Sequence, residues 1–277
     1  MVCNLVIDRT SDKSSRISLI ASRGGVLFVL LFLMFATGCV TTHEGPYTAK
    51  ANTSKATEQY VQLGLAYYQN REYDLAIQKL GRALEIEPGN STALAALGLV
   101  YQAQGEPKYA EEQFVSALKN DPQYTRGRTY YGAFLYQQGR LEESLKQFTL
   151  ASEDVRYEAR AQIFSNLGLV NVKLNRIAPA IEAYEKSLTL RRDQPSVQLS
   201  LATLHFQAGD SVRANRYYQA YWENIRAGNT RHTAQSLALG IEIARAKNDS
   251  NEEASLTLLL KNMFPNSAEY QKIKDPS

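Results

Sequence analysis

Two cysteines and three histidines are the only side chains in this chain suited to thiolate or imidazole chemistry. A catalytic or metal role would need them beside one another, or beside carboxylates, at fixed spacing. Instead they are scattered as Cys3, Cys39, His43, His205 and His232. No C-x-x-C, H-E-x-x-H, G-x-x-x-x-G-K-[ST] or G-x-G-x-x-G stretch occurs, and there is no G-x-S-x-G elbow. The run Asn248-Asp249-Ser250-Asn251 lacks the glycine and closing glutamate of a calcium loop and reads as a turn. His205 stands where comparable segments carry Tyr67 and Tyr101, so it reads as a packed imidazole. His232 reads as a solvated residue near a helix start. The sequence therefore predicts no enzyme, no metal and no cofactor. The one reaction that remains is covalent modification of Cys39.

Cys39 closes a leader of distinct chemistry. Arg9, Lys13, Arg16 and Arg23 precede an apolar run from Val26 to Phe35, and Ala36-Thr37-Gly38 leads into the cysteine. A basic region, a short apolar run and small residues make a secretory signal peptide. The run falls short of the about 20 apolar residues that cross a bilayer. Its end is similar to a bacterial lipobox, whose cysteine becomes the lipidated first residue of the mature protein. That resemblance implies removal of residues 1–38 and a lipid on Cys39. Val40 stands where inner-membrane lipoproteins commonly carry aspartate, which implies the periplasmic face of the outer membrane. The residues alone leave open an uncleaved anchor, or ordinary cleavage with Cys39 kept inside. Cys3 falls in the leader, so the rest of the chain has one thiol and no internal disulfide. Residues 39–56 are polar and aperiodic, and read as the lipidated cysteine and a flexible tether. Fully extended at about 3.3 Å per residue, it would reach about 55 Å.

The elements that could position a site begin at residue 57. Tyr60, Leu63-Gly64, Tyr67, Ala76, Leu80, Ala83 and Pro88 recur 34 residues later as Leu94, Leu97-Gly98, Tyr101, Ala110, Phe114, Ala117 and Pro122. Steps of three and four place each set on one helical face. Gly64 and Ala76 are small where two helices would cross, and the prolines stop the second helix. This pattern resembles the tetratricopeptide repeat (TPR), a helix-turn-helix unit that buries its apolar face only when stacked. The resemblance implies an all-α fold, a right-handed superhelical TPR solenoid of about six repeats. The frames are 57–90, 91–124, 125–158, 161–194, 195–228 and a divergent or capping stretch, 229–264. The solenoid is expected to end at 268, leaving 269–277 as a tail. Within it, Ser144 replaces a small apolar residue and Arg156 replaces a proline, so the joint after the third frame is the weakest.

Charge narrows the partners. The chain carries 31 basic and 28 acidic residues, and residues 1–38 hold four and two of them, leaving 27 against 26. Near-neutrality gives no electrostatic case for nucleic acid.

A stacked array curves, and its first helices line the concave face. The TPR resemblance implies groove residues at Val61, Leu65, Tyr68, Ala95, Leu99, Gln102 and Tyr136. TPR domains that clamp a terminal carboxylate carry lysine and asparagine at places held here by Val61, Leu65, Ala95 and Leu99, which argues against that clamp. An apolar groove with aromatic side chains suits an extended or helical peptide with apolar anchors. Equally open is that a neighbouring helix or the tether covers it.

The leader, tether and repeats together resemble the type IV pilus biogenesis lipoproteins of the PilF/PilW (pilotin) group. The closing stretch from Leu259 through Phe264-Pro265, Ser267 and Glu269-Tyr270 is similar to that group's terminal element. The resemblance implies a monomeric outer-membrane lipoprotein that binds secretin subunits of the type IV pilus and promotes their localisation and multimerisation. The alternative is another TPR lipoprotein adaptor, serving cell-wall hydrolases or outer-membrane assembly.

Overall fold

A computed structural model describes residues 46–274, with side chains from residue 53 onward. The chain divides into two compact units, Met1–Ala49 and Lys50–Ser277. Only residues 46–49 of the first are described. The leader and Cys39 lie outside the described residues. No described helix is long and apolar enough to cross a membrane.

The described residues form helices throughout: α1 Pro46–Gln69, α2 Tyr73–Ile86, α3 Ser91–Gln104, α4 Pro107–Asn120, α5 Thr125–Gln137, α6 Leu141–Ser152 and α7 Arg160–Lys173. There follow α8 Ile177–Leu190, α9 Pro195–Gln207, α10 Ser211–Arg226, α11 Ala234–Ala246, α12 Ser250–Met263 and α13 Ala268–Lys274. Each odd-numbered helix from α3 through α11 packs on the next, α1 packs on α2 through Val61, Gly64 and Leu80, and each pair packs on its neighbours. This is the all-α TPR architecture.

Inside a pair, glycine faces a large side chain. A Cβ on Gly98 would lie 2.6 Å from Phe114 Cε1, and one on Gly64 would lie 2.6 Å from Leu80 Cγ. Gly132 and Gly168 meet Phe148 and Tyr184 in the same way. The rings and Leu80 are buried, so each seam is dry and close-packed. Ser144, buried at a crossing point, donates to the Gly132 carbonyl at 2.7 Å, so its hydroxyl costs little.

The turn inside each pair repeats one backbone device. Arg71, Gly105, Gly139, Asn175, Gly209 and Asn248 all have positive φ, between 56° and 80°. The following N–H donates back across the turn, as from Glu106 to Tyr101 O and from Asp249 to Ala244 O, both at 2.9 Å. This closes the helix end in a Schellman geometry.

That device fixes the sixth pair. Ser91 to Pro107, Thr125 to Leu141, Pro195 to Ser211 and Ala234 to Ser250 are all steps of 16 residues. The stretch 229–264, expected as a divergent pair or a cap, is thus a regular pair in the frame 234–267, displaced by the linker 229–233. Pro265 ends it as Pro88 and Pro122 end the first two. The periodic signal is masked because Ile241 stands where Gly64 and Gly98 stand and packs with Leu237, Leu256 and Leu260, large against large, while Gly240 faces Tyr218 of the preceding pair.

Three further expectations need correction. Residues 46–56, read as flexible tether, continue helix α1. Proline at its first position and a stretch free of glycine permit this, and helix extension from a packed segment needs no apolar stripe. The expected tail is helical to Lys274, with Tyr270 and Ile273 packed on the last core cluster. His232 is packed rather than solvated, its ring 4.4 Å from that of Trp222. The joint after α6 is closed by polar contacts in place of proline. Asp154 accepts from Thr125 Oγ1 at 2.7 Å and from the Arg156 N–H at 3.1 Å.

Candidate partner-binding groove

The first helices α3 and α5, α5 and α7, and α9 and α11 approach one another directly, across the pair boundaries. Crowding on that side makes the first-helix face the inner one. The expected groove residues divide into two groups on it. Leu65, Tyr68, Leu99, Gln102 and Tyr136 are half-buried and present part of their surface. Val61 and Ala95 do not, at 3% and 0% exposure. Val61 packs with Ala76, Leu80 and Leu97, and Ala95 packs with Phe114 and Phe134. A partner cannot touch them, so both are corrected from groove to core. The reason is the small residues Ala93, Ala95 and Ala96 in α3, which let neighbouring helices close over that stripe.

The surface that remains is aromatic, amide-bearing and nearly uncharged. Tyr68 and Tyr73 lie with ring centroids 6.3 Å apart. Burial, then the neighbouring Tyr73, raises the Tyr68 hydroxyl above its ordinary value, so it stays a neutral donor. Gln102 Nε2 donates to Gln137 Oε1 at 2.6 Å, which ties the second repeat to the third. Tyr136 packs over the cluster of Phe148, Leu167 and Val170.

Sequence reasoning missed Tyr130 and Leu169. Tyr130 is half-buried and its hydroxyl is raised by burial, with Arg126 lowering it. Leu169 is 40% exposed on α7. Its place was legible from Leu167-Gly168, which sets the fourth frame.

Chemistry is sparse elsewhere. His205 is 2% exposed and stacks on Tyr217 at 5.4 Å, as a packed imidazole should. Burial, then Arg213, lowers its pKa, while Asp210 and Glu185 oppose the shift. Among the described residues no group of His, Cys, Asp and Glu could hold a metal.

An inner face of paired helices, apolar and lacking a catalytic cluster among the described residues, defines a repeat protein of the TPR class. Tetratricopeptide-repeat families match residues 125–193 and 95–154, and a TPR-repeat family matches 58–105. The chain is 39% identical over 247 residues to Type IV pilus assembly protein PilF of Pseudomonas aeruginosa, across 89% of this chain and 96% of that one. A solved structure of Pseudomonas aeruginosa PilF superposes with TM-score 0.75 at 39% identity, over 82% of this chain and 100% of the other. The structure of PilW, a widely conserved type IV pilus biogenesis factor, superposes with TM-score 0.66 at 25% identity, over 79% of this chain and 98% of PilW. The chain belongs to the PilF family of type IV pilus TPR proteins.

Proposed function

We propose that the protein is a pilotin, an outer-membrane lipoprotein that holds secretin subunits of the type IV pilus and promotes their multimerisation in that membrane. The observation that carries this reading is the uncharged strip of Leu65, Tyr68, Leu99, Gln102 and Tyr136 along the first helices. Such a strip holds a peptide by apolar anchors. Membership of the PilF family supports the pilus as the place where it works. The signal and small residues before Cys39 support lipid attachment and periplasmic exposure. The mechanism is localisation: one anchored scaffold raises the effective concentration of subunits at the membrane where the ring must close. No bond is made or broken.

The test is the secretin's assembly state in cells lacking the protein, read from unheated membranes on a gel. Loss of the heat-resistant ring, restored by the wild-type chain, is the expected result. Cys39→Ala complementation should leave subunits unassembled or misplaced. Intact rings in the deletion strain would overturn the reading and leave a TPR scaffold with another client.

A further inference from the structure

In the repeat frame, one groove position of the first helix carries Leu65, Leu99, Ala133, Leu169 and Thr203 in turn. Ala133 interrupts a row that is otherwise leucine through the fourth repeat. Where its side chain stops short, a cleft of about 200 Å3 opens between α5 and α7. Its floor is Phe148 and Val170, 2% and 0% exposed, and Tyr136 and Leu169 stand at the sides. No charged side chain lines it. For scale, an apolar cavity of about 150 Å3 accepts a benzene ring.

Two amides complete the rim. Gln137 Oε1 accepts from Gln102 Nε2, and Asn166 Oδ1 accepts from Gln162 Nε2 at 3.1 Å. Among the described residues the amide nitrogens of Gln137 and Asn166 make no hydrogen bond, which leaves them to donate outward.

We propose that this cleft is a socket for one bulky apolar side chain (phenylalanine, leucine or methionine) of an uncharged, extended peptide segment. The inference rests on the partner-holding function proposed above and specifies what the partner presents. A charged side chain would lose its hydration there and meet no counter-charge. A helical segment keeps its carbonyls in its own ladder, whereas an extended one offers them to the Gln137 and Asn166 donors. An acyl chain would fill the same volume but cover those donors without pairing them.

The test titrates 15N-labelled mature protein with N-acetyl-phenylalanine amide, N-acetyl-leucine amide, N-acetyl-aspartate amide and octyl glucoside below its micelle concentration. Expected are saturable shifts at the Ala133, Gln137, Asn166 and Leu169 amides with the first two probes. The aspartate probe should bind roughly ten-fold more weakly or not at all. Ala133→Leu, which completes the leucine row and plugs the socket, should abolish the shifts with circular dichroism unchanged. Ala133→Met serves as a second plug if the leucine variant melts early. Absent shifts, shifts that survive both plugs, or shifts with octyl glucoside alone would overturn the socket. In cells, Ala133→Leu should lower ring yield by roughly ten-fold. Rings lost in the deletion strain but intact with Ala133→Leu would sink the socket alone. Rings intact in the deletion strain would sink the pilotin reading and leave the titration to judge the socket.

Discussion

The edge of the His232 ring meets Trp222 with centroids 4.4 Å apart, joining α10 to the linker that precedes the sixth pair. The Tyr221 ring lies 6.4 Å from the His232 ring, and the buried His232 Nδ1 has no hydrogen-bond partner among the described residues. Burial lowers the His232 pKa, and burial followed by Arg213 lowers that of His205. Both shifts favour the neutral ring in the fold. The unfolded chain takes up their protons first, at the ordinary histidine value of about 6.5. Stability is full above that pH and falls as pH drops through it towards the folded values, then levels off. Thermal melts from pH 8 to pH 5 should show an earlier loss in the fifth and sixth pairs, reported by Trp222, the one tryptophan. His232→Gln should flatten the dependence; an unchanged profile would contradict a role for the ring.

Arg71 occupies a left-handed turn, at φ 63°, where Gly105, Gly139 and Gly209 serve in other repeats. A side chain there costs roughly 1–2 kcal/mol, and glycine's extra unfolded-state freedom returns about 0.5–1 of that. Arg71→Gly should thus stabilise the first pair by up to about 1 kcal/mol. Gly105→Ala should destabilise the second by about 1 kcal/mol. Urea midpoints followed by circular dichroism measure both, and opposite signs are the expected pattern.

Gly98 and Phe114 exclude one another's growth. Gly98→Ala gains about 1 kcal/mol of helix propensity but forces a methyl against the ring, and such overpacking costs about 1–3 kcal/mol. A net loss of roughly 1 kcal/mol is expected. Adding Phe114→Leu should make the pair less damaging than the sum of the two single changes, because the smaller side chain yields the space. Strict additivity in a double-mutant cycle would show that the contact is not the cause.

Leu65→Glu combined with Leu99→Glu places charges on the half-buried strip without entering the core. Partner capture and secretin-ring formation should be lost while helical circular dichroism is retained. Val61→Glu or Ala95→Glu should instead unfold the first repeats, because the carboxylate has no buried partner and the penalty is several kcal/mol. If Ala95→Glu left the melt unchanged, the assignment of that residue to the core would fail.

Local rules determine much of this fold. The 34-residue spacing of Gly64, Leu80 and Pro88 with Gly98, Phe114 and Pro122 dictates paired helices, because close crossing needs a missing Cβ opposite a large side chain. The expectation of a lipid on Cys39 rests on consecutive residues too, but they lie outside the described residues. What the tertiary structure alone decided depends on neighbours distant in sequence. Val61 and Ala95 share the spacing of Leu65 and Leu99, yet stacking closes over the first two and leaves the second two half-open. The sixth pair departs from the pattern because Ile241 stands where Gly64 and Gly98 stand and packs large against large with Leu256 and Leu260, a fit visible only once both helices are packed. Ala133 is one alanine among many in the sequence. It opens a socket only because Phe148, Leu169 and Val170, brought to it from two other helices, enclose the space its side chain does not fill.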